Sequence, residues 1–329
     1  MIVGGVNLAP EAPVAQMVEL AQEAERLGFQ RCWIYDEGLP VRDPYVVMTA
    51  IAGATDTLRL GTGITNPYTR HPAVTAAAIA TLHEMSGGRA FVGIGAGGSI
   101  TLGPLGIPRK KPLTATREAI AAMRRLFAGE TVSVEGDFLQ LVDARIEYTQ
   151  PGIEVWLAGR GPKMLAMGGE LSDGVLLSFL YKEMFQDYID HVQTGAARSG
   201  NMPRLCYSTM IATNQAALDA VRPHMTYRLV DAPPKAKAQL GISEAEVAQI
   251  REAMIGGGLH EAAQYVRDEW IRPFIIMGSV EECAAELTAL MKRYQIDEFS
   301  VPIYDLEAAP ALMADVARVL QAANRGDTD

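Results

Sequence analysis

Cysteine is scarce: only Cys32, Cys206 and Cys283 occur, an odd number spread far apart. No CxxC pair and no Cys/His cluster at zinc spacing accompanies them, so neither a disulfide scaffold nor a metal site is expected. Positive charge is short as well, with 29 Lys and Arg against 39 Asp and Glu, a net of −10. Nucleic acid and anionic membranes both select a positive face, so neither is an expected partner, although a local basic pocket for an anionic cofactor stays open. Long apolar runs are missing too. The stretch Gly174 to Leu180 is too short to span a bilayer, and Met1 to Asn7 has neither a basic n-region nor a cleavage site. A cytoplasmic protein is expected. There is no P-loop lysine, nucleophile elbow, short-period repeat or low-complexity segment.

What remains is globular in composition, 49% hydrophobic and 21% charged over 329 residues. That length calls for two ordinary domains or one large closed architecture. The pattern decides between them. Strand-like segments at Ile2–Leu8, Arg31–Tyr35, Leu58–Ile64, Arg89–Gly95, Ile153–Ala158, Gly174–Ser178, Arg204–Ala212 and Glu298–Ile303 alternate with helical ones. Val14, Met17, Val18, Ala21 and Ala24 mark the first helix, which Gly28 should end in the left-handed conformation. Eight βα units predict an α/β fold of the TIM (β/α)₈ barrel type, one domain over 1–329. Two departures are expected: an inserted β-hairpin at about 131–146 around Gly136-Asp137, and a helical insertion at about 214–272. The latter, with Gly256-Gly257-Gly258 as mobile punctuation, is expected to act as a lid or substrate wall.

A barrel of this kind works at the C-terminal ends of its strands. That rule selects Asn7, Asp36-Glu37, Gly63-Ile64-Thr65-Asn66, Gly95-Ala96-Gly97-Gly98, Gly159-Arg160-Gly161 and Ser178-Phe179-Leu180. Gly93-x-Gly95-x-x-Gly98 matches the dinucleotide fingerprint literally. However, Ser99 to Pro112, with its three prolines, opens no helix at once, so close approach of backbone to a flat ligand is the better reading. Gly159-Arg160-Gly161 does run into a helix with Pro162 near its start, which suits a phosphate, with Arg160 or Lys163 supplying charge; an ordinary βα turn reads the same way. Asp36 and Glu37 are adjacent at a strand end, so one should face the barrel mouth while the other supports the loop. A carboxylate desolvated against a planar ring would have a raised pKa and could exchange a proton. His71 in Arg70-His71-Pro72 is expected to organise a helix start, and His83, His191, His224 and His260 to be structural.

Several motifs together carry a family resemblance. Leu60 to Pro72, Gly87 to Gly97, Val155 to Gly159 with Pro162-Lys163-Met164, and Gly169 to Gly174 are similar, in the same order, to the bacterial-luciferase-like flavin and deazaflavin oxidoreductases. The chain looks nearest the methylenetetrahydromethanopterin reductase branch. The resemblance implies hydride transfer between coenzyme F420 and a small organic substrate, with FMN and oxygen, fed by a flavin reductase partner, as the alternative. It also implies a non-prolyl cis peptide at Gly63-Ile64 behind the ring, Gly95-Ala96-Gly97 on the opposite wall, and a phosphate near Gly159, Gly161 and Ser178. Pairing into a homodimer through helices near strands 2 and 3 follows from it as well. The related sugar-phosphate dehydrogenases have Asp-His after strand 2 and a glutamate at the position of Gly98. Here Asp36-Glu37 and Gly98 stand instead, so their acid–base pair is not carried over, and Glu37 becomes the candidate for proton transfer. Arg109-Lys110-Lys111 or Lys182 would line the exit of an anionic coenzyme tail.

Overall fold

The computed structural model describes residues 1–325. The domain expected over 1–329 includes residues 326–329, which lie outside the described residues. Eight parallel strands close into a barrel: β1 Val3–Leu8, β2 Arg31–Ile34, β3 Arg59–Thr62, β4 Ala90–Ile94, β5 Glu154–Ala158, β6 Gly174–Ser178, β7 Arg204–Ser208 and β8 Glu298–Ile303. β1 pairs with both β2 and β8, which closes the ring. The outer helices are α1 Val14–Arg26, α2 Pro44–Ala52, α3 Pro72–Met85, α4 Pro112–Phe127, α5 Pro162–Leu171 and α6 Phe185–Ser199. After them come α7 Gln215–Val230, which opens the helical insertion, then α8 Val280–Tyr294 and α9 Ala309–Arg325. α1 buries Met17, Leu20, Ala21 and Ala24 against the barrel, and Gly28 follows it at φ 89°, a left-handed position that glycine takes without a Cβ penalty. The expected hairpin is present as Val132–Glu135 paired antiparallel with Gln140–Ala144.

The barrel interior is tiered. At the strand N-termini Arg31, 2% exposed, is hemmed in by Glu298 at 2.8 Å and Glu154 at 3.2 Å, and its guanidinium lies 4.5 Å from the Phe91 ring centre and 4.8 Å from that of Trp156. Arg59 and Arg204 close on Glu154 from outside. Above them Trp33, Phe91 and Trp156 meet edge to face at 4.5 and 5.4 Å and fill the middle tier with Leu176 and Cys206. Rings this large leave no room for a side chain at their register partners on the neighbouring strands. A Cβ on Gly174 would stand 2.4 Å from the Trp156 ring, and one on Gly61 would stand 2.3 Å from the Phe91 carbonyl oxygen. The top tier is polar: Asn7 Nδ2 donates to Ser208 Oγ at 3.0 Å, and Ser300 Oγ donates to Asn7.

Two expectations are corrected and a third holds. The segment read as one strand over Arg204–Ala212 breaks after Ser208, and Ile211–Ala212 pairs instead with Ile276–Met277 in a separate two-stranded sheet that frames the insertion. Ser99–Leu102 forms one helical turn directly after the β4 loop, where no helix was expected; its three prolines all come later. Gly256-Gly257-Gly258 interrupts the insertion's helical structure as expected: the helical turns of Glu244–Ala263 break at Gly258 (φ 82°). The insertion has its own core, with Leu218, Val221, Met225 and Leu229 of α7 packed among Val247, Ile250, Trp270 and Phe274.

Glu154 ties the lower tier together. Burial works to raise its pKa, but Arg31, the Trp156 N–H, Arg59 and Arg204 hold it down, to about 2 from an ordinary 4.5. A carboxyl with a depressed folded pKa stabilises fully above its unfolded value and loses that contribution as pH falls through the folded one. Glu154→Gln is therefore expected to cost about 3 kcal/mol at pH 7 and to flatten the acid limb of stability between pH 4.5 and about 2. Urea melts across pH would check this, and an unchanged acid limb would count against the assignment.

Candidate active site at the strand C-termini

The strand ends open into a cleft of about 650 Å³, within the usual range for a small-molecule site. Asn7, Asp36, Glu37, Gly63, Ile64, Thr65, Ala96, Gly97, Gly159, Arg160 and Ser178 all line it, as the sequence reading placed them. Two candidates sit apart. Gly95 lies beneath the cleft surface, where a Cβ would come 2.2 Å from Ile64 Cδ1, so this glycine makes room for the Ile64 side chain. Gly161 is the N-cap of α5, just outside the lining. A wider hollow of about 880 Å³ opens at the opposite face. There Arg124 pairs with Asp173 and Arg204 with Glu154, so its charges are already matched, and that face of a barrel serves stability.

The floor of the cleft is the turn after β3. The Gly63-Ile64 peptide is cis, and Thr65 bridges to Ile94 beyond it, so Ile64 bulges from the barrel wall. Ala96, Ala158 and Leu176 continue the apolar surface. At one end, Gly159 and Arg160 precede α5, whose first turn has Pro162 and no side-chain cap, leaving N–H groups for an anion. Arg109 also lines the cleft, where it donates to the Gly97 carbonyl at 3.0 Å. Lys111 is engaged with Asp137 at 2.8 Å, and Lys182 with Glu286 and the Ile275 carbonyl, and neither lysine is among the residues that line the cleft.

Asp36 and Glu37 both line the cleft, although strand alternation alone would send their side chains in opposite directions. Strand alternation stops at Ile34, and the chain beyond it is a loop in which successive side chains need not diverge. Thr65 Oγ1 donates to Asp36 Oδ2 at 2.6 Å. Desolvation nonetheless raises the Asp36 pKa, with the Thr65 bond pulling the other way. Glu37 stands exposed at the rim, yet protein crowds its carboxyl and desolvation raises it too; its openness makes that shift the less weighty of the two. Arg70 pairs with Asp43 at 2.9 Å, and His71 Nδ1 accepts from the Ala73 N–H at 3.2 Å, so these two organise the start of α3 as expected.

Sequence reasoning missed the far wall. Tyr35, Tyr227, Arg228, Asp231 and Tyr304 complete the cleft. Tyr304 directly follows β8 and would have been found had the strand-end rule been carried past strand 6; Tyr227 and Arg228 sit on α7 and bear no such signal. Arg228 Nη2 donates to the Tyr304 hydroxyl at 2.6 Å, and Tyr304 and Asn7 flank the Tyr35 hydroxyl. His224, expected to be structural, stacks on Tyr304 at 4.0 Å; burial, then the charges of Arg228 and His260, push it down to about 4, so it is neutral at pH 7.

A closed barrel with a shallow apolar floor, a bulged β3 turn and an anion-ready β5 turn defines a site for a flat, phosphate-bearing cofactor. The chain belongs to the luciferase-like monooxygenase family, whose profile matches residues 2–297. It is 34% identical over 294 residues to 5,10-methylenetetrahydromethanopterin reductase of Methanolobus tindarius, covering 87% of this chain and 90% of that one. The corresponding reductase of Archaeoglobus fulgidus is 32% identical, with 88% and 90% covered. The solved coenzyme F420-dependent tetrahydromethanopterin reductase of Methanopyrus kandleri superposes with a TM-score of 0.87 at 27% identity, covering 96% of this chain and 97% of that one.

Thr65→Val removes the bond that favours the Asp36 carboxylate. Its pKa, already above the ordinary 3.8, is expected to rise further. Carboxyl-carbon NMR titration would read it directly, and a fall would refute the role given to the hydroxyl.

Proposed function

We propose that this chain is an oxidoreductase that moves a hydride between coenzyme F420 and a small organic substrate in the strand-end cleft. One observation carries the reading: the Gly63-Ile64 bulge and the uncapped α5 start lie at two places along one cleft, as a flat ring with a phosphate tail requires. Gly63 and Ile64 would back the ring, with Ala96 and Gly97 opposite, while Gly159, Arg160, Gly161 and Ser178 would hold the phosphate. Asn7 and Thr65 offer polar edges. The bound coenzyme supplies the hydride chemistry; the barrel supplies orientation and a surface that excludes water. Glu37 is the proposed proton-transfer group, because the Asp36 carboxylate is occupied by Thr65 while Glu37 has no hydrogen-bond partner among the described residues. Methylenetetrahydromethanopterin is the first substrate to assay, on the names of both relatives.

The family description favours a second reading, an FMN-dependent monooxygenase that needs oxygen and a flavin reductase. No helix among the described residues is long and apolar enough to cross a membrane. We also propose that barrel and insertion work as one domain in a cytoplasmic homodimer. Leu39, Val46 and Val74 are 72, 63 and 53% exposed on the β2 loop, α2 and α3, the side where pairing was expected. Val46→Glu with Val74→Glu should convert a dimer into a monomer on sedimentation; a wild-type monomer would dismiss the pairing.

Fluorescence titration with oxidised F420 and, separately, with FMN decides the cofactor. Tight binding of F420 alone is expected, and preference for FMN would move the assignment to the monooxygenase. In the F420-loaded enzyme, Glu37→Gln should slow hydride transfer by about 10²–10⁴-fold where the proton is needed. A rate unchanged across pH would remove Glu37 from the mechanism.

A further inference from the structure

Arg228 is an unusual residue to find facing this cleft. It is only 7% exposed, yet no carboxylate pairs with it among the described residues. One nitrogen is bonded to the neutral Tyr304 hydroxyl, and Nε is buried with no hydrogen-bond partner. Its guanidinium lies 3.3 Å from the Phe179 ring centre. Phe179 itself has φ 48°, a left-handed conformation that a non-glycine residue adopts only where its surroundings enforce it, so the platform beneath the arginine is built into the turn after β6. A guanidinium cannot shed its proton, so burying one without a counter-charge is costly unless a ligand completes it. Arg160 faces the same cleft without an ion-pair or hydrogen-bond partner among the described residues, and each arginine's charge disfavours the other's. Glu37 and Asp231 also line the cleft and act at a distance, Glu37 on Arg228 and Asp231 on Arg160, but neither comes into ion-pair contact with either arginine among the described residues.

We propose that Arg228, seated on Phe179 and Tyr304, is a substrate-specificity residue that binds an anionic oxygen group, a carboxylate in the first instance, on the second reactant. The assignment rests on the hydride-transfer reading of the cleft and adds to it the chemical class of substrate. A planar guanidinium matches a carboxylate in a two-bond fork, and charge-assisted bonds of this kind are the stronger ones. Arg228 comes from the insertion and leans on the turns after β6 and β8, whereas the uncapped α5 start next to Arg160 provides for a coenzyme phosphate at the β5 end. A phosphate of the coenzyme could in principle use the same guanidinium, and the experiment separates the two sources.

Benzoate and its neutral isostere benzamide serve as probes. Both would be titrated calorimetrically, at low salt, into the protein alone and into protein saturated with F420, for wild type, Arg228→Met and Arg228→Lys. Benzoate is expected to bind at least tenfold more tightly than benzamide. Arg228→Met should abolish that preference, Arg228→Lys should keep part of it, and F420 affinity should stay within twofold in both. Circular dichroism confirms that each variant is folded, and Arg228→Lys retains the charge should Arg228→Met fail to fold. Equal binding of the two probes, or a benzoate preference that survives Arg228→Met, would overturn the proposal. So would a loss of F420 affinity in Arg228→Met as large as its loss of benzoate affinity, which would give the guanidinium to the coenzyme. Benzoate binding through Arg228 in a protein that takes up no F420 would leave this subsite standing and sink the cofactor assignment instead.

Discussion

The charge clamp around Arg31 is the constraint on which the rest depends. A (β/α)₈ barrel has to fill its centre, and this one fills its lower end with ions, not aliphatic side chains. Arg31 is satisfied only because Glu298 and Glu154 reach it from opposite sides of the barrel and Phe91 and Trp156 flank its guanidinium. Breaking such a set by removing one partner is far more damaging than never having it, since the remaining charges are left buried. The clamp seats the aromatic tier, and the aromatic tier dictates glycine at Gly61 and Gly174. A barrel packed this tightly below leaves its freedom at the upper end, where Asn7, Ser208 and Ser300 form a polar ledge and the cleft begins.

That division explains what the sequence could disclose. Buried strands read as short apolar runs, and Gly174–Ser178 and Glu298–Ile303 have the boundaries expected of them; a proline likewise marked where the helix after Gly161 begins. Backbone-built site features were legible too, because glycine has few other reasons to cluster at strand ends; Gly63, Gly97 and Gly159 all line the cleft. Side-chain direction was not legible. Asp36 and Glu37 were assigned opposite sides by a rule for strands that does not govern the loop they occupy. Gly95 was placed on the surface, but it lies under Ile64, a contact fixed by the bulge and not by its own motif.

The helical insertion was the least readable part, for a physical reason. Its core of Leu218, Val221, Met225, Leu229, Trp270 and Phe274 is largely its own, so its periodicity says how it packs against itself and nothing about which face meets the barrel. Pro223 within α7 blurs that periodicity further. Tyr227 and Arg228 reach the cleft from this self-contained unit, beside a residue that strand-end logic does select, Tyr304. Composition says little about the same place: a net charge of −10 describes the surface at large, and the local basic pocket it left open is where Arg160 and Arg228 concentrate positive charge and the cleft walls limit screening.

An insertion with a core of its own can change without disturbing the Arg31 clamp or the Ile64 bulge. Barrel and cap therefore carry separable duties. The β3 and β5 turns, held by closely packed backbone, offer a surface that suits one flat cofactor and tolerates little variation, as Gly95 against Ile64 shows. The α7 wall touches that surface through a few long side chains, and replacing one of them alters what stands over the cofactor without moving it. Relatives that share the barrel while differing in what lies over the strand ends are the expected consequence of this arrangement, since loops and insertions at that face vary independently of the packed core.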